Sequence, residues 1–143
     1  MTRVFLCIMS LAVAGCTPSL NTVGSPRPQV QRDVEGYAIA SCLASQSEPY
    51  LKDQGDAWAS VVVQRMKGDL DALVDIAEQV RRENEAGNMA VIRDETRPEK
   101  GKTLPLLHCG EIVDRPAVRV AIQKAIGTLG PYYEASSGNS DKL

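Results

Sequence analysis

The chain has 143 residues, of which 43% are hydrophobic, and a formal net charge of −2 at neutral pH. This length suits one small domain, and the absence of a basic excess argues against a nucleic-acid partner. Aromatic residues make up 4% of the sequence, with one Trp and one Phe, so we expect no large surface that stacks sugars or bases.

The first fifteen residues are typical of a lipoprotein signal peptide. Arg3 supplies positive charge, residues 4–13 form an apolar run too short for a permanent membrane span, and residues 13–16 (Val-Ala-Gly-Cys) resemble the bacterial lipobox. Cleavage there would leave Cys16 lipidated; the alternative is an ordinary secretory signal with an incidental cysteine. Thr17 replaces the Asp typical of inner-membrane retention, which favours a lipid anchor in the inner, periplasm-facing leaflet of the outer membrane.

Periodicity divides the rest of the chain into a tether, one helical domain and a tail. Residues 16–31 are proline-rich and predicted to be an extended tether, and residues 134–143 a disordered tail. Between them, residues 32–133 are predicted to form an all-α domain, a small bundle of about five helices. We expect these helices at 33–47, at 57–66 after a cap by Asp53 or Asp56, from a cap at Asp69 to a stop at Gly87-Asn88, within 104–113, and from Asp114 to a stop at Gly127 or Gly130-Pro131.

The spacing of apolar residues predicts which helix faces are buried. The third helix should bury Leu70, Leu73 or Val74, Ala77 and Val80. The last helix should bury a stripe that runs from Val118 through Ala121, Ile122, Ala125 and Ile126 to Leu129. Trp58, with Val61 and Val62, is interpreted as core rather than as a ligand shelf.

Four cysteines are present, and the predicted processing leaves two of them for pairing. Cys7 lies in the signal peptide, and Cys16 would carry the lipid. Cys42 and Cys109 remain in an oxidising compartment, so a disulfide between them is expected. In the chain-entropy model, a bridge over so long a loop contributes about 4 kcal/mol to stability.

His108 is the only histidine, and its position beside Cys109 raises the question of a zinc site or a Cys–His nucleophile. Zinc needs four ligands, or three and a water, and the sequence supplies neither a CxxC spacing nor a second histidine. We therefore expect no metal, no cofactor and no catalytic residue. His108 is interpreted as an exposed side chain next to a buried disulfide.

A charged stretch at residues 93–102 is predicted to be a solvated loop. It is long for a small helical domain, and long loops are often functional. Its adjacent acids, Asp94 and Glu95, are interpreted as a solvated face rather than an acid–base pair. The residues expected to contact a partner protein are Arg93, Asp94, Glu95, Thr96 and Arg97.

Three short stretches share features with a family of bacterial proteins. Residues 37–44 place a cysteine in an Ala- and Ser-rich first helix, and residues 56–60 (Asp-Ala-Trp-Ala-Ser) follow after one short connection. Residues 106–114 place a second cysteine at the start of a late helix. This frame resembles the immunity proteins of type VI secretion amidase effectors, most closely the fourth amidase-immunity family, over residues 35–126.

The resemblance implies a small helical periplasmic inhibitor, often a homodimer, that binds a cognate peptidoglycan amidase and blocks its catalytic groove. In that family the two cysteines pair, which carries over onto Cys42 and Cys109. The family's projecting inhibitory loop would correspond to part of residues 88–102. The chain departs from the family in its lipobox and in the sequence of this loop, which matches no family motif.

A second hypothesis is a pilotin-like lipoprotein of the outer membrane. Such proteins are also small, helical and lipidated, but they hold a helix of a secretin or another assembly partner in an apolar groove. An exposed apolar groove would favour this function, and a closed surface with a protruding charged loop would favour immunity. An enzyme is the third hypothesis, which the absence of a nucleophile–base pair disfavours.

Overall fold

The computed structural model of the protein describes residues 27–87, 89–93, 95–97 and 99–137. The predicted signal peptide, Cys16 and most of the predicted tether lie outside these residues, and the tether prediction is wrong for residues 29–31, which belong to the first helix. The described chain is mostly helical and contains one disulfide, which confirms the expected all-α class. Its helices are α1 (Gln29–Ala44), α2 (Pro49–Arg65), α3 (Val74–Glu85), α4 (Pro105–Gly110) and α5 (Pro116–Ser137), and its two strands are β1 (Val91–Arg93) and β2 (Gly101–Thr103).

Helices α1 and α2 form a closely packed hairpin through Gly55. A Cβ atom at this position would lie 2.2 Å from the backbone N of Ala44 and 2.7 Å from the backbone O of Ala40. Only glycine fits at such a close approach of two backbones. The sequence prediction that α2 begins after Gly55 is therefore wrong, because this glycine is a packing residue inside the helix. Pro49 starts the helix at its first position, where its missing N–H costs nothing.

The third helical segment begins at the predicted cap and buries Leu73 and Val80 as predicted, whereas Leu70 is 41% exposed and Ala77 is only partly buried. The Asp69 carboxylate accepts a hydrogen bond from the Asp71 backbone N–H (3.0 Å), which confirms the cap. Residues Leu70–Leu73 then form a 3-10 turn before the α-helix. This turn changes the rotation of the following residues, so Val74 is 65% exposed. The buried positions on this segment are Leu73, Ile76 and Val80.

Helix α5 continues past the glycines and the proline that were expected to end it. It passes Pro131 and reaches Ser137, so the prediction of a tail from residue 134 is wrong for residues 134–137. Its buried stripe is confirmed at Val118, Ala121, Ile122, Ala125 and Leu129. The last turns are held by tertiary contact, because the Tyr133 hydroxyl donates a hydrogen bond to the Asp33 carboxylate (2.8 Å).

The core is built around α1, which packs against the other four helices. It includes both cysteines and the inward residues of every helix. The prediction for Trp58 is wrong: only Val62 of that group is buried, whereas Trp58 is 40% and Val61 53% exposed. Trp58 lies on the flank of the α1–α2 hairpin, where its ring covers Gly36.

One charged side chain is buried at the N-terminal end of α1. Asp33 is 1% exposed and accepts hydrogen bonds from Arg65 Nε (2.8 Å) and from the Tyr133 hydroxyl. These bonds join the start of α1 to the ends of α2 and α5. Burial, together with the bond to Asp33, raises the pKa of Tyr133 to about 12. We call this group the Asp33 network.

Candidate binding site: a charged β-hairpin and its supports

Residues 91–103 form an antiparallel β-hairpin rather than the expected loop. Val91 pairs with Thr103, Ile92 with Lys102 and Arg93 with Gly101. The sequence prediction contained no strand, so this two-stranded sheet was missed. Both strands are three residues long and fully exposed, so they lack the alternation of buried and exposed residues that identifies a strand.

The predicted contact residues lie along the outer half of this hairpin. Arg93 ends β1, and Glu95, Thr96 and Arg97 follow in the turn, all with exposed side chains. Asp94 lies outside the described residues. The turn is closed by a hydrogen bond from the Lys100 N–H to the Arg97 carbonyl (2.9 Å). The structure thus brings four of the five predicted residues into one exposed segment.

Charges of both signs are concentrated on this hairpin. Its described residues include four cationic and two anionic side chains, all exposed: Arg93, Arg97, Lys100, Lys102, Glu95 and Glu99. Exposed charges at the rim of an interface mainly set the association rate and the choice of partner. The hairpin is therefore suited to recognise a complementary polar surface.

Both ends of the hairpin are fixed to helices. On the β1 side, Gly87 ends the preceding α3 segment with a positive φ of 70°. On the β2 side, α4 begins at Pro105, two residues after the strand. The Leu104 N–H donates to the Ala90 carbonyl (3.0 Å), which extends the pairing to the base of the hairpin. The position of the hairpin consequently follows that of α3 and α4.

A hydrogen bond between His108 and Asn84 joins those two helices. His108 Nε2 lies 2.9 Å from Asn84 Oδ1, which links α4 to the last turn of α3. The histidine side chain is only 4% exposed, so the expectation that it faces solvent is wrong. It is buried because α4 packs against α1 and the histidine ring meets Asn84 of α3. We call this bond the Asn84–His108 clasp.

The disulfide between Cys42 and Cys109 is confirmed and lies directly beside the clasp. Its S–S distance is 2.09 Å, its Cα atoms are 5.4 Å apart, and both cysteines are fully buried. Asn84 Oδ1 lies 3.3 Å from Cys42 Sγ. Gln46 Nε2 donates to the Cys42 carbonyl (3.0 Å) and lies 3.5 Å from Cys109 Sγ. The bridge pins α4 to α1, so the hairpin is fixed to the core as well as to α3.

The surroundings of His108 disfavour its charged form. Burial lowers the pKa of His108, the positive charge of Arg115 lowers it further, and Glu83 and Glu111 oppose this shift. With Asn84 Oδ1 as acceptor, Nε2 carries the hydrogen of the neutral ring. The other ring nitrogen, Nδ1, is buried without a hydrogen-bond partner among the described residues. A second proton on the ring would therefore be poorly accommodated.

Two chemical alternatives raised by the sequence can be compared with this geometry. Both sulfur atoms are bonded to each other, so neither is available as a thiolate while the bridge is intact. Within the described segments, no group of three or more His, Cys, Asp or Glu side chains could hold a metal ion.

No described helix is both long enough and apolar enough to cross a membrane.

Sequence reasoning did not identify Asn84 or Gln46. Each is an ordinary polar residue near a helix end, and such residues are usually solvated. Their importance comes from partners far along the chain: His108 lies 24 positions after Asn84, and Cys109 lies 63 positions after Gln46. No local pattern marks such pairs.

The chain was also compared with known proteins. No family model, curated protein or solved structure matches it.

Proposed function

We propose that this chain is a periplasmic immunity protein that binds and inhibits a cognate type VI secreted peptidoglycan amidase. In this proposal the hairpin at residues 91–103 enters the active-site groove of the enzyme and occludes it. The observation that carries the proposal is the hairpin itself, an exposed charged element in the part of the chain where the resemblance expects the inhibitory loop. Lipidation at Cys16 would hold the inhibitor in the compartment where such an amidase acts.

The supports of the hairpin favour an inhibitory role. A flexible loop loses conformational freedom when it enters a groove, and this loss weakens binding. Here the strands are paired, Leu104 closes their base, and the clasp and the disulfide fix both flanking helices. Much of the ordering cost is thus already met in the free protein, which favours tight binding.

The pilotin-like alternative has one observation in its favour. A groove of about 390 Å³ beside α4 is lined by leucines and is open to solvent. This groove runs beside α4, which is only six residues long, whereas the charged hairpin is the protruding element that the immunity hypothesis expects. We therefore favour immunity.

A toxicity-rescue assay in the periplasm tests the proposal. The full chain is produced together with a peptidoglycan amidase encoded beside it, and survival and amidase binding are measured. The hairpin variant exchanges two charges, Arg93→Glu with Glu95→Arg, and should lose rescue and binding while its melting temperature stays unchanged. The matched control makes the same kind of exchange at two exposed residues far from the hairpin, Lys67→Glu with Asp71→Lys, and should rescue fully.

Two results would contradict the proposal. If the hairpin exchange rescues as well as the control, the interface lies elsewhere on the molecule. If the unmodified chain binds no amidase but co-purifies with a secretin, the pilotin-like function replaces immunity.

A further inference from the structure

The groove beside α4 is a concavity next to the hairpin whose lining includes four leucines, Leu51, Leu104, Leu106 and Leu107. Leu106 and Leu107, on its helical wall, are 64% and 45% exposed, which is unusual for two adjacent leucines. Leu51 of α2 closes the far side. Exposed leucines in a concave surface lose contact with water when a ligand covers them, so the groove is suited to bind apolar side chains.

The position of the groove relative to the hairpin indicates what shape of ligand fits. Its lining includes Lys102 and Thr103 of β2 but no residue of β1. The groove therefore lies on the β2 side of the hairpin. An outer edge of a sheet presents backbone groups that can pair with another strand.

The register shows which backbone groups face this edge. The Leu104 N–H donates to the Ala90 carbonyl, so Leu104 and Ala90 form a hydrogen-bonded pair. Because such pairs alternate along an antiparallel ladder, Lys102 also bonds across to β1, whereas Gly101 and Thr103 direct their N–H and C=O groups outward. The outward N–H and C=O groups of Gly101 and Thr103 make no backbone hydrogen bond with the described residues.

We propose that the outer edge of β2 and the leucine groove beside it form a binding site for an extended peptide segment with alternating apolar and acidic side chains. The segment adds a short third strand to the hairpin through Gly101 and Thr103. Its apolar side chains cover Leu106 and Leu107. Its carboxylates lie on the face of Lys102, the one charged residue that lines the groove.

The charge and the length of the site define this ligand further. A three-residue strand spans about 10 Å, so the edge selects a segment of about three to five residues. Lys102 attracts a carboxylate and repels a cation at the same position, since directly opposed charges interact across strands. The site is separate from the tip of the hairpin, and its existence does not depend on whether the tip enters an amidase.

A peptide titration followed by NMR tests the site. The secreted mature chain carries Cys16→Ser to prevent lipidation, and the probe is an acetylated and amidated pentapeptide of alternating Val and Glu. Saturable shifts of the Gly101 and Thr103 amide signals are expected. A pentapeptide of alternating Val and Lys should bind at least about tenfold more weakly. An alternating Val and Glu peptide with N-methylated valines should not bind, because it cannot complete the strand pairing.

Matched variants separate the groove from general effects of a new charge. Leu107→Asp places a carboxylate in the groove and should weaken binding by about tenfold or more. Val120→Asp places the same group at an exposed valine of α5, which does not line the groove, and should bind like the unmodified chain. Lys102→Glu should reverse the preference, so that the Val and Lys peptide binds more tightly.

Three outcomes would overturn the site. The first is an absence of saturable shifts with the Val and Glu peptide at millimolar concentration. The second is equal binding of the N-methylated peptide, which would exclude strand addition. The third is an unchanged preference in the Lys102→Glu variant, whose substitution lies on an exposed strand and leaves the core intact.

Discussion

The two ends of α1 are both tied to neighbouring helices by polar side chains, but only one of these ties is fully hydrogen-bonded. At the N-terminal end, both carboxylate oxygens of Asp33 accept bonds, from Arg65 and from Tyr133. About 14 Å along the helix, at the C-terminal end, Cys42 meets α4 and the Asn84–His108 clasp. The described chain has three buried polar side-chain atoms without a partner: Asn84 Nδ2 and His108 Nδ1 in the clasp, and Nε of Arg115, whose charge acts on His108.

This difference indicates different roles for the two ends. A buried polar network whose hydrogen bonds are satisfied stabilises one packing arrangement. The opposite end leaves polar atoms unpaired and carries the hairpin and the leucine groove. A covalent bond holds it where hydrogen bonding is incomplete. We therefore expect the Asp33 end to contribute mainly to stability, while the disulfide end carries both surfaces proposed for binding.

Removal of the disulfide should give the largest effect. In the chain-entropy model, a bridge between residues separated by 67 positions contributes about 4 kcal/mol to the free energy of unfolding. The double variant Cys42→Ala with Cys109→Ala should lose about this amount in urea unfolding and should also exchange its hairpin amides faster. A loss of stability without faster exchange of the Ile92 and Lys102 amides would show that the bridge does not support the hairpin.

Removal of Asp33 should be the next largest effect and should be confined to stability. Asp33→Ala leaves the Tyr133 hydroxyl and the half-exposed Arg65 guanidinium without their buried partner, and we expect this loss to cost about 2 kcal/mol. The exchange rates of the hairpin amides should stay unchanged when the variant and the unmodified chain are each measured at the same distance from their own unfolding midpoint. Glu78→Ala is the control, because it removes only exposed ion pairs with Arg81 and Arg82. Faster hairpin exchange in Asp33→Ala would mean that the two ends are coupled.

Removal of the clasp should have a smaller effect on stability but a selective effect on the hairpin. Asn84→Ala deletes one buried hydrogen bond and should lower the free energy of unfolding by about 1 kcal/mol. Asn84 lies three residues before Gly87, where α3 ends and the chain leads into the hairpin. Without the clasp this segment loses its contact with α4, so the base of the hairpin should open more often. Gln64→Ala, an exposed amide on α2, is the control. Equal hairpin exchange in both variants would contradict a supporting role for the clasp.

The same contrast explains which features the sequence predicts. The disulfide and the Asp69 cap depend on few residues with strong local or compositional signals, and both predictions are confirmed. The end of α5 was predicted too early. The hydrogen bond from Tyr133 to Asp33, 100 residues away, holds the last turns in place and outweighs the helix-breaking effect of Pro131. The burial of His108 was missed for the same reason, since its partner Asn84 has no distinguishing pattern.

Short exposed elements were the other source of error. The hairpin strands bury no side chain, so period-two alternation could not reveal them. Their pairing is favoured instead by the helices at either side, which bring residues 90 and 104 together. The charged residues proposed for partner contact could still be selected from the sequence, because composition alone marks them as solvated.

The smallest expected effects concern the pH dependence of stability, which should differ between the two ends of α1. Burial keeps the pKa of His108 below its ordinary value of 6.5, so the unfolded chain takes up this proton first as the pH falls. The stability that the neutral ring contributes is present above pH 6.5 and declines as the pH falls below that value. At the other end, the pKa of Tyr133 is raised from 10.0 to about 12, so its contribution is complete below pH 10 and is lost as the pH rises through 12.

The free energy of unfolding, measured in urea and plotted against pH, should therefore have an acid arm that depends on His108 and an alkaline arm that depends on Tyr133. His108→Gln should flatten the acid arm and leave the alkaline arm unchanged, and Tyr133→Phe should do the reverse. Hairpin amide exchange, corrected for its intrinsic pH dependence, should accelerate only on the acid side, where the charged ring disturbs the clasp. If the alkaline arm also opened the hairpin selectively, ionisation of Tyr133 would be felt at the far end of α1, and the division between a stability end and a binding end would fail.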